Sequence, residues 1–181
     1  MEKIEVTKWQ EGVNLENFSR KSIFASIQSI DQSVFHENGL ATEQSDIDRY
    51  EAYKNSYIFA LDEDNIVGYL CYFPITEKFY SQVIKGEKVY DGDIASTDIC
   101  GLKDGLNYIF LLSVAILPEY QKKGISKQFS KILLDEFSKI EIKDIVSYAF
   151  TIGGEHFLNI IGLEKCKDME DDIKFMRLPQ R

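Results

Sequence analysis

Leu112-Ser113-Val114-Ala115-Ile116-Leu117-Pro118-Glu119-Tyr120-Gln121-Lys122-Lys123-Gly124-Ile125-Ser126-Lys127-Gln128-Phe129 is the stretch whose reading decides the fold. An apolar strand runs into Pro118, then into a basic loop with one glycine, then into a helix. That order builds an anion site. The loop and the first helical turn offer backbone N–H groups without intrahelical partners, and the helix dipole adds partial positive charge there. Gly124 carries no side chain to keep an anion from the backbone. Lys122, Lys123 and Lys127 add full charges beside it. Read from the residues alone, this is a phosphate-binding joint or an ordinary strand-loop-helix connection with solvated lysines.

Working outward, Tyr108 to Ile116 is a continuous apolar run, expected as a central strand buried on both faces. Ile125 to Ile140 reads as a helix with the stripe Ile125, Phe129, Ile132, Leu133 and Phe137. Ile145 to Phe150 reads as a strand, Glu155 to Ile161 as a short helix ending near Gly162, and Ile173 to Leu178 as a last strand after Glu170-Asp171-Asp172. Toward the N-terminus, Tyr57 to Leu61 and Ile66 to Phe73 flank a short polar loop and predict a β-hairpin. Residues 15 to 36 carry Ile23, Ile27, Ile30 and Val34 at helical spacing, with Asn14 as the expected N-cap and Gly39 as terminator. Residues 43 to 54 predict a second, more polar helix, with Ile47 and Tyr50 inward. Residues 76 to 106 are mixed: a short helix over Glu77 to Ile84, then a polar region punctuated by Gly86, Gly92, Gly101 and Gly105. A connection this long is often functional.

The chain has 181 residues, 44% hydrophobic and 13% aromatic, which suits one domain with a sizeable core. No apolar run reaches the ~18 residues of a membrane span, and Met1 to Glu5 shows no signal-peptide apolar region. Cys71, Cys100 and Cys166 are odd in number and widely spaced, which reads as reduced thiols and a cytoplasmic location. The net charge of -9 and pI of about 4.8 argue against nucleic-acid binding and suit a cationic substrate. The lysines at 122, 123, 127 and 131 reverse that charge locally, as an anionic ligand would favour. His36 and His156 stand far apart, and no Cys/His spacing suggests a metal site. Neither Gly-x-x-x-x-Gly-Lys nor Gly-x-Gly-x-x-Gly occurs.

Gln121-Lys122-Lys123-Gly124-Ile125-Ser126 resembles the pyrophosphate loop of the GNAT N-acetyltransferase superfamily, with Ser126 where Gly or Ala is usual. The preceding strand with its Pro118-Glu119-Tyr120 corner matches the same family, as does Ile161-Gly162-Leu163 after the short helix. The resemblance is continuous from about Ser56 to Leu178, is looser before it, and departs at 76 to 106. It implies an α+β fold: a mixed, mostly antiparallel central sheet flanked by helices, in a single domain over 1–181 with an insertion before the central strand. It also implies acetyl-CoA as acyl donor and transfer of the acetyl group to a primary amine by direct attack in a ternary complex. A non-catalytic acyl-CoA-binding or interaction protein of the same fold is the alternative.

Carried over residue by residue, the resemblance places the pantetheine arm on Val114, Ala115 and Ile116. The pyrophosphate falls on Gln121, Lys122, Lys123, Gly124, Ile125 and Ser126, with Lys127 beside them. Thr151 and Asn159 are further candidate cofactor contacts. Many members carry a tyrosine four residues before the glycine of the corner, where it protonates the departing thiolate. Here that position is Leu158, so Tyr148 on the neighbouring strand is the substitute candidate. The acceptor is a small-molecule or peptide amine, with Asp91, Asp93, Asp98, Asp104, Tyr80 and Tyr90 of the insertion as candidate contacts. The insertion is expected to govern acceptor choice.

Overall fold

The computed structural model describes residues 4–10, 15–35 and 40–179. Asn14, His36 and Gly39, named above, lie outside the described residues. Strand β1 (Glu5–Lys8) precedes helices α1 (Arg20–Phe35) and α2 (Glu43–Ala52), then the hairpin β2 (Tyr57–Asp62) and β3 (Asn65–Ile75). Helix α3 (Glu77–Lys85) and two short 3-10 turns lead into β4 (Asn107–Ile116). Helix α4 (Ile125–Phe137), β5 (Ile142–Ala149), α5 (Ile152–Ile160), β6 (Glu164–Asp168) and β7 (Lys174–Arg177) complete the order. The seven strands form one sheet, β1-β2-β3-β4-β5-β7-β6. Among the described residues, β4 and β5 are the one pair of neighbouring strands that run parallel. This is the expected α+β class.

Helices cover both faces. One buried cluster joins α1, α2 and α3 to Phe59, Tyr69, Phe73 and Phe110. The other joins α4 and α5 to Ile58, Leu70, Ile109 and Leu111. Ile23, Ile27 and Ile30 of the α1 stripe are buried as their spacing predicts and Val34 is half-buried, but the helix begins at Arg20, where the Ser22 amide donates to Ser19 Oγ at 3.1 Å. α5 begins earlier than expected because Thr151 caps it, accepting from Gly154 N at 2.9 Å. Phe157, Leu158 and Ile161 are core, whereas Ile160 is about half exposed. Neither β1 nor β6 is legible in the sequence: both lie at sheet edges, every residue of β6 is exposed, and four-residue β1 is half-buried beyond Glu5 with only Val6 packed on the core.

Two features of β4 shape its surroundings. Cys71 faces Ser113 while Tyr72 faces Leu111, so Leu112 is an extra residue in the ladder. Such a bulge swaps the faces of the residues after it. Phe110 and Ala115 consequently share the α1-side core, and Leu111, Val114 and Ile116 share the α4-side core. Second, the pairing of β4 with β5 ends at Leu111 and Ser147, although β4 continues to Ile116. Residues 113 to 116 remain paired to β3 on one edge and leave the β5 edge open. The β3 partner at the far end is Gly68, where a Cβ would lie 2.9 Å from the Ala115 carbonyl oxygen, so only glycine permits that approach.

Residues 76 to 106 are folded against the body of the domain. Thr76 caps α3 and Gly86 ends it at a φ of +80°. Ile99 bridges to Ile75, and Ile94 and Ile99 are buried.

Candidate active site

Where β4 and β5 part, a cavity of about 740 Å³ opens between them and the α1 side of the sheet. Its lining includes Ser113 and Val114 from β4, Tyr148 from β5, and Thr151 and Leu158 from α5. α1 contributes Asp31, β3 contributes Tyr69, and the insertion contributes Val89, Tyr90 and Asp91. Asp171 lines it from the turn before β7. Three carboxylates face this space, and no Lys, Arg or His is among the lining side chains of the described residues.

The carboxylates are not equivalent. Asp91 is held by Arg49, whose Nη1 donates to Asp91 Oδ1 at 2.7 Å and to its carbonyl at 2.9 Å. Arg49 is fully buried and also pairs with Asp46, which accepts from Gln28 Nε2 at 2.6 Å. Facing carboxylates raise the Arg49 pKa against the opposing effect of burial, so it stays charged. Asp171 is exposed and meets Tyr90 Oη at 3.4 Å. Asp31 is 3% exposed and, among the described residues, pairs with no cation. It accepts from the Tyr69 hydroxyl, which lies 3.1 Å from Ser113 Oγ. Burial, partly offset by that hydrogen bond, pushes the Asp31 carboxyl from 3.8 up to about 8.

At the other end of β4, Gly124 stands at a φ of +82° and caps α4 without a side-chain hydrogen bond. A Cβ at Gly124 would meet nothing within 4 Å, so backbone conformation, not crowding, calls for glycine. Lys122 also has a positive φ, 61°, uncommon for a residue with a side chain. Gln121 Nε2 donates to the Ile116 carbonyl at 3.1 Å, tying the loop to the strand. Lys122, Lys123 and Lys127 are exposed, and Lys123 Nζ sits 4.4 Å from the Tyr120 ring centre. Ile125 is buried under the loop and Ser126 is half-buried. The open N-terminus of α4, the lysines and the unpaired β4 edge fit a phosphorylated, amide-bearing ligand such as CoA.

Of the sequence candidates, Val114, Tyr148 and Thr151 line the cavity. Ala115 is buried on the α1 side, Ile116 is half-buried, and Asn159 is exposed on α5 outside the lining. Tyr148 is 6% exposed and donates to the Val83 carbonyl at 2.7 Å; burial raises its pKa above the usual tyrosine range. Leu158 lines the cavity, so the position of the family tyrosine faces the site without a hydroxyl. In the insertion, Tyr90 and Asp91 line the cavity. Asp93 and Asp98 instead cap local turns, accepting from Tyr90 N at 3.1 Å and Ala95 N at 3.0 Å. Tyr80 donates to Asp144 at 2.7 Å, and neither it nor Asp104 is in the lining. Asp31, Tyr69 and Ser113 were not among the sequence candidates. Asp31 had a signal: it lies four residues after Ile27 on the buried face of α1, where a carboxylate is out of place.

The model of the acetyltransferase (GNAT) family matches residues 24–151, and the chain belongs to that family. Membership makes it an acetyltransferase with acetyl-CoA as cosubstrate. Similar solved structures include Arabidopsis thaliana Naa50 in complex with the bisubstrate analogue CoA-Ac-MVNAL. It has a TM-score of 0.62 and 12% identity, with 98% of this chain and 99% of that chain covered. The ribosomal-protein-S18-alanine N-acetyltransferase from Escherichia coli gives a TM-score of 0.59, 12% identity, and 98% and 94% coverage. PaiA N-acetyltransferase from Thermoplasma acidophilum, in complex with coenzyme A, gives 0.56, 11%, and 98% and 99%. No curated protein matches this chain. Among the described residues, no helix is long and apolar enough to cross a membrane.

Proposed function

We propose that the chain transfers the acetyl group of acetyl-CoA to a primary amine by direct attack in a ternary complex. The observation that carries this reading is the open edge of β4 from Ser113 to Ile116, which joins a carboxylate-lined cavity to the loop at Gly124. Acetyl-CoA supplies a thioester carbonyl for attack. The main chain of Val114, Ala115 and Ile116 holds the pantetheine arm, and an N–H of that edge stabilises the carbonyl oxygen as charge develops there. Residues 121 to 127 hold the pyrophosphate. Thr151 borders the acyl end of the site, and Asn159 is assigned a contact from the outer face of α5.

The acceptor is a cationic amine carried on an apolar group. Asp91 and Asp171 supply negative potential, Asp31 adds to it only as it ionises near pH 8, and Val34, Phe35 and Phe150 supply apolar walls. A small molecule and a peptide N-terminus both meet that description.

Tyr148 is our proposed proton donor to the thiolate. Its hydroxyl must turn from the Val83 carbonyl, which costs about 1 kcal/mol for a neutral hydrogen bond. That is less than one decade of rate, so the bond does not rule out the role. Leu158 favours a second reading, an acyl-CoA-binding protein without turnover. Incubation with acetyl-CoA, an amine panel and a thiol reagent separates the two: amine-dependent release of free CoA supports transfer, and binding without release supports the second.

A further inference from the structure

We propose that Asp31 is the proton acceptor for the attacking amine, reached through Ser113 and Tyr69. This rests on the acetyltransfer reading and adds the base that reading lacks. An alkyl amine arrives as ammonium, and its nitrogen has no lone pair until a proton leaves. Three side chains from three different elements meet at the parting of the strands to take it. Ser113 is the first residue after the β4 bulge, on the open edge. The bulge turns Ser113 to the α1 side, where its Oγ is 3.1 Å from Tyr69 Oη. The Tyr69 hydroxyl in turn donates to Asp31 Oδ1. All three line the cavity.

The proton count closes. The ammonium gives a proton to Ser113 Oγ, the Ser113 proton passes to Tyr69 Oη, and the Tyr69 proton passes to Asp31. The neutral nitrogen attacks the thioester carbonyl carbon, the C–N bond forms and the C–S bond breaks. Tyr148 gives its hydroxyl proton to the departing thiolate and regains the second nitrogen proton, and Asp31 later releases its proton to water. Net products are the acetamide, CoA thiol and one proton.

The groups around Asp31 suit the role. Tyr69 faces it from β3, Asp46 and Arg49 from α2, and Asp91 from the insertion. Arg49 is already engaged by Asp46 and Asp91, so Asp31 has no cation of its own among the described residues. A carboxyl titrating near 8 is about one-tenth ionised at pH 7 and half ionised at pH 8, and it still lies below an alkyl ammonium near 10.

Asp31→Asn keeps the shape and the acceptor oxygen for Tyr69, so it removes basicity with little else. At saturating acetyl-CoA, kcat/KM for an alkyl amine is measured from pH 7 to 10 in both proteins. The wild-type curve should break near pH 8, and that break should stay put for amines of different pKa. Asp31→Asn must wait for neutral amine and should keep rising to the amine pKa. Its deficit should therefore shrink by roughly a hundredfold between pH 7 and 10. Tyr69→Phe should lower kcat at least tenfold while the thermal shift given by acetyl-CoA stays at the wild-type value. A deficit of Asp31→Asn that is constant with pH overturns the assignment, and Tyr69→Phe at the wild-type rate overturns the relay. Wild type inactive on every amine sinks the acetyltransfer reading itself; an active wild type with a pH-independent ratio sinks only this assignment.

Discussion

The stability of Asp31→Asn relative to wild type should rise as the pH rises. The Asp31 carboxyl titrates at 3.8 when unfolded and at about 8 when folded. Between those values the folded state keeps a proton that the unfolded state has released. Folding then takes up one proton, and stability falls as pH rises through that window. The slope is about 1.36 kcal/mol per pH unit, so moving from pH 5 to 7 costs wild type about 3 kcal/mol through this group alone. The side chain is 3% exposed, so solvent screening does little to reduce that figure. The asparagine of the variant takes up no proton, and the other groups contribute alike to both proteins. At roughly 2–4 °C per kcal/mol for a chain of this size, the gap in Tm between the two proteins should widen by roughly 5–11 °C from pH 5 to 7. The assay is thermal denaturation without ligand. The single tryptophan, Trp9, reports it well, being buried and stacked on Tyr50 at 4.2 Å. Parallel Tm curves for the two proteins across that range would refute a raised Asp31 carboxyl.

Acetyl-CoA at a hundredfold excess over its Kd should stabilise the wild type by about 2.7 kcal/mol, and Gly124→Glu should lose that shift. Because Gly124 has a φ of +82°, the variant also carries about 1–2 kcal/mol of strain, so its shift is read against its own ligand-free Tm. An undiminished shift would remove residues 121 to 127 as the pyrophosphate site. Tyr148→Phe should cut kcat at least tenfold, equivalent to about 1.4 kcal/mol of transition-state stabilisation, with acetyl-CoA affinity unchanged. Turnover within twofold of wild type leaves the hydroxyl as a strut on the Val83 carbonyl. Tyr90→Ala should change the ranking of amine acceptors and leave acetyl-CoA binding as it was, because Tyr90 reaches the cavity from the insertion; an unchanged ranking speaks against the insertion as the acceptor wall.

Much of the fold was legible because its signals are local. The α1 stripe at Ile23, Ile27 and Ile30, the hairpin around Asp62 to Asn65, and the run into Pro118 and Gly124 each follow from spacing and backbone chemistry within a few residues. The edge strands left no such trace: β6, with every side chain exposed, needs only hydrogen bonds from its neighbour, and β1 has just four residues with one apolar contact, Val6, on the core. Thr151 illustrates a different limit: its place at a strand end does not reveal that it also caps α5, which the 2.9 Å bond from Gly154 N shows.

The sequence by itself determined the family pattern, the anion-binding joint and the missing hydroxyl at Leu158, all of which depend on residue identity and short spacings. It also carried the oddity of Asp31 on an apolar helix face, but not what that oddity meets. Tertiary structure alone brought Asp31, Tyr69 and Ser113 together from α1, β3 and β4, with Ser113 turned to the α1 side by a one-residue bulge at Leu112. It likewise bound Arg49 to Asp91 across 42 positions of sequence, fixing the insertion as a wall of the cavity. Register and burial set these meetings, and both are properties of the packed chain: a single slip in pairing would send every following side chain to the opposite face of the sheet.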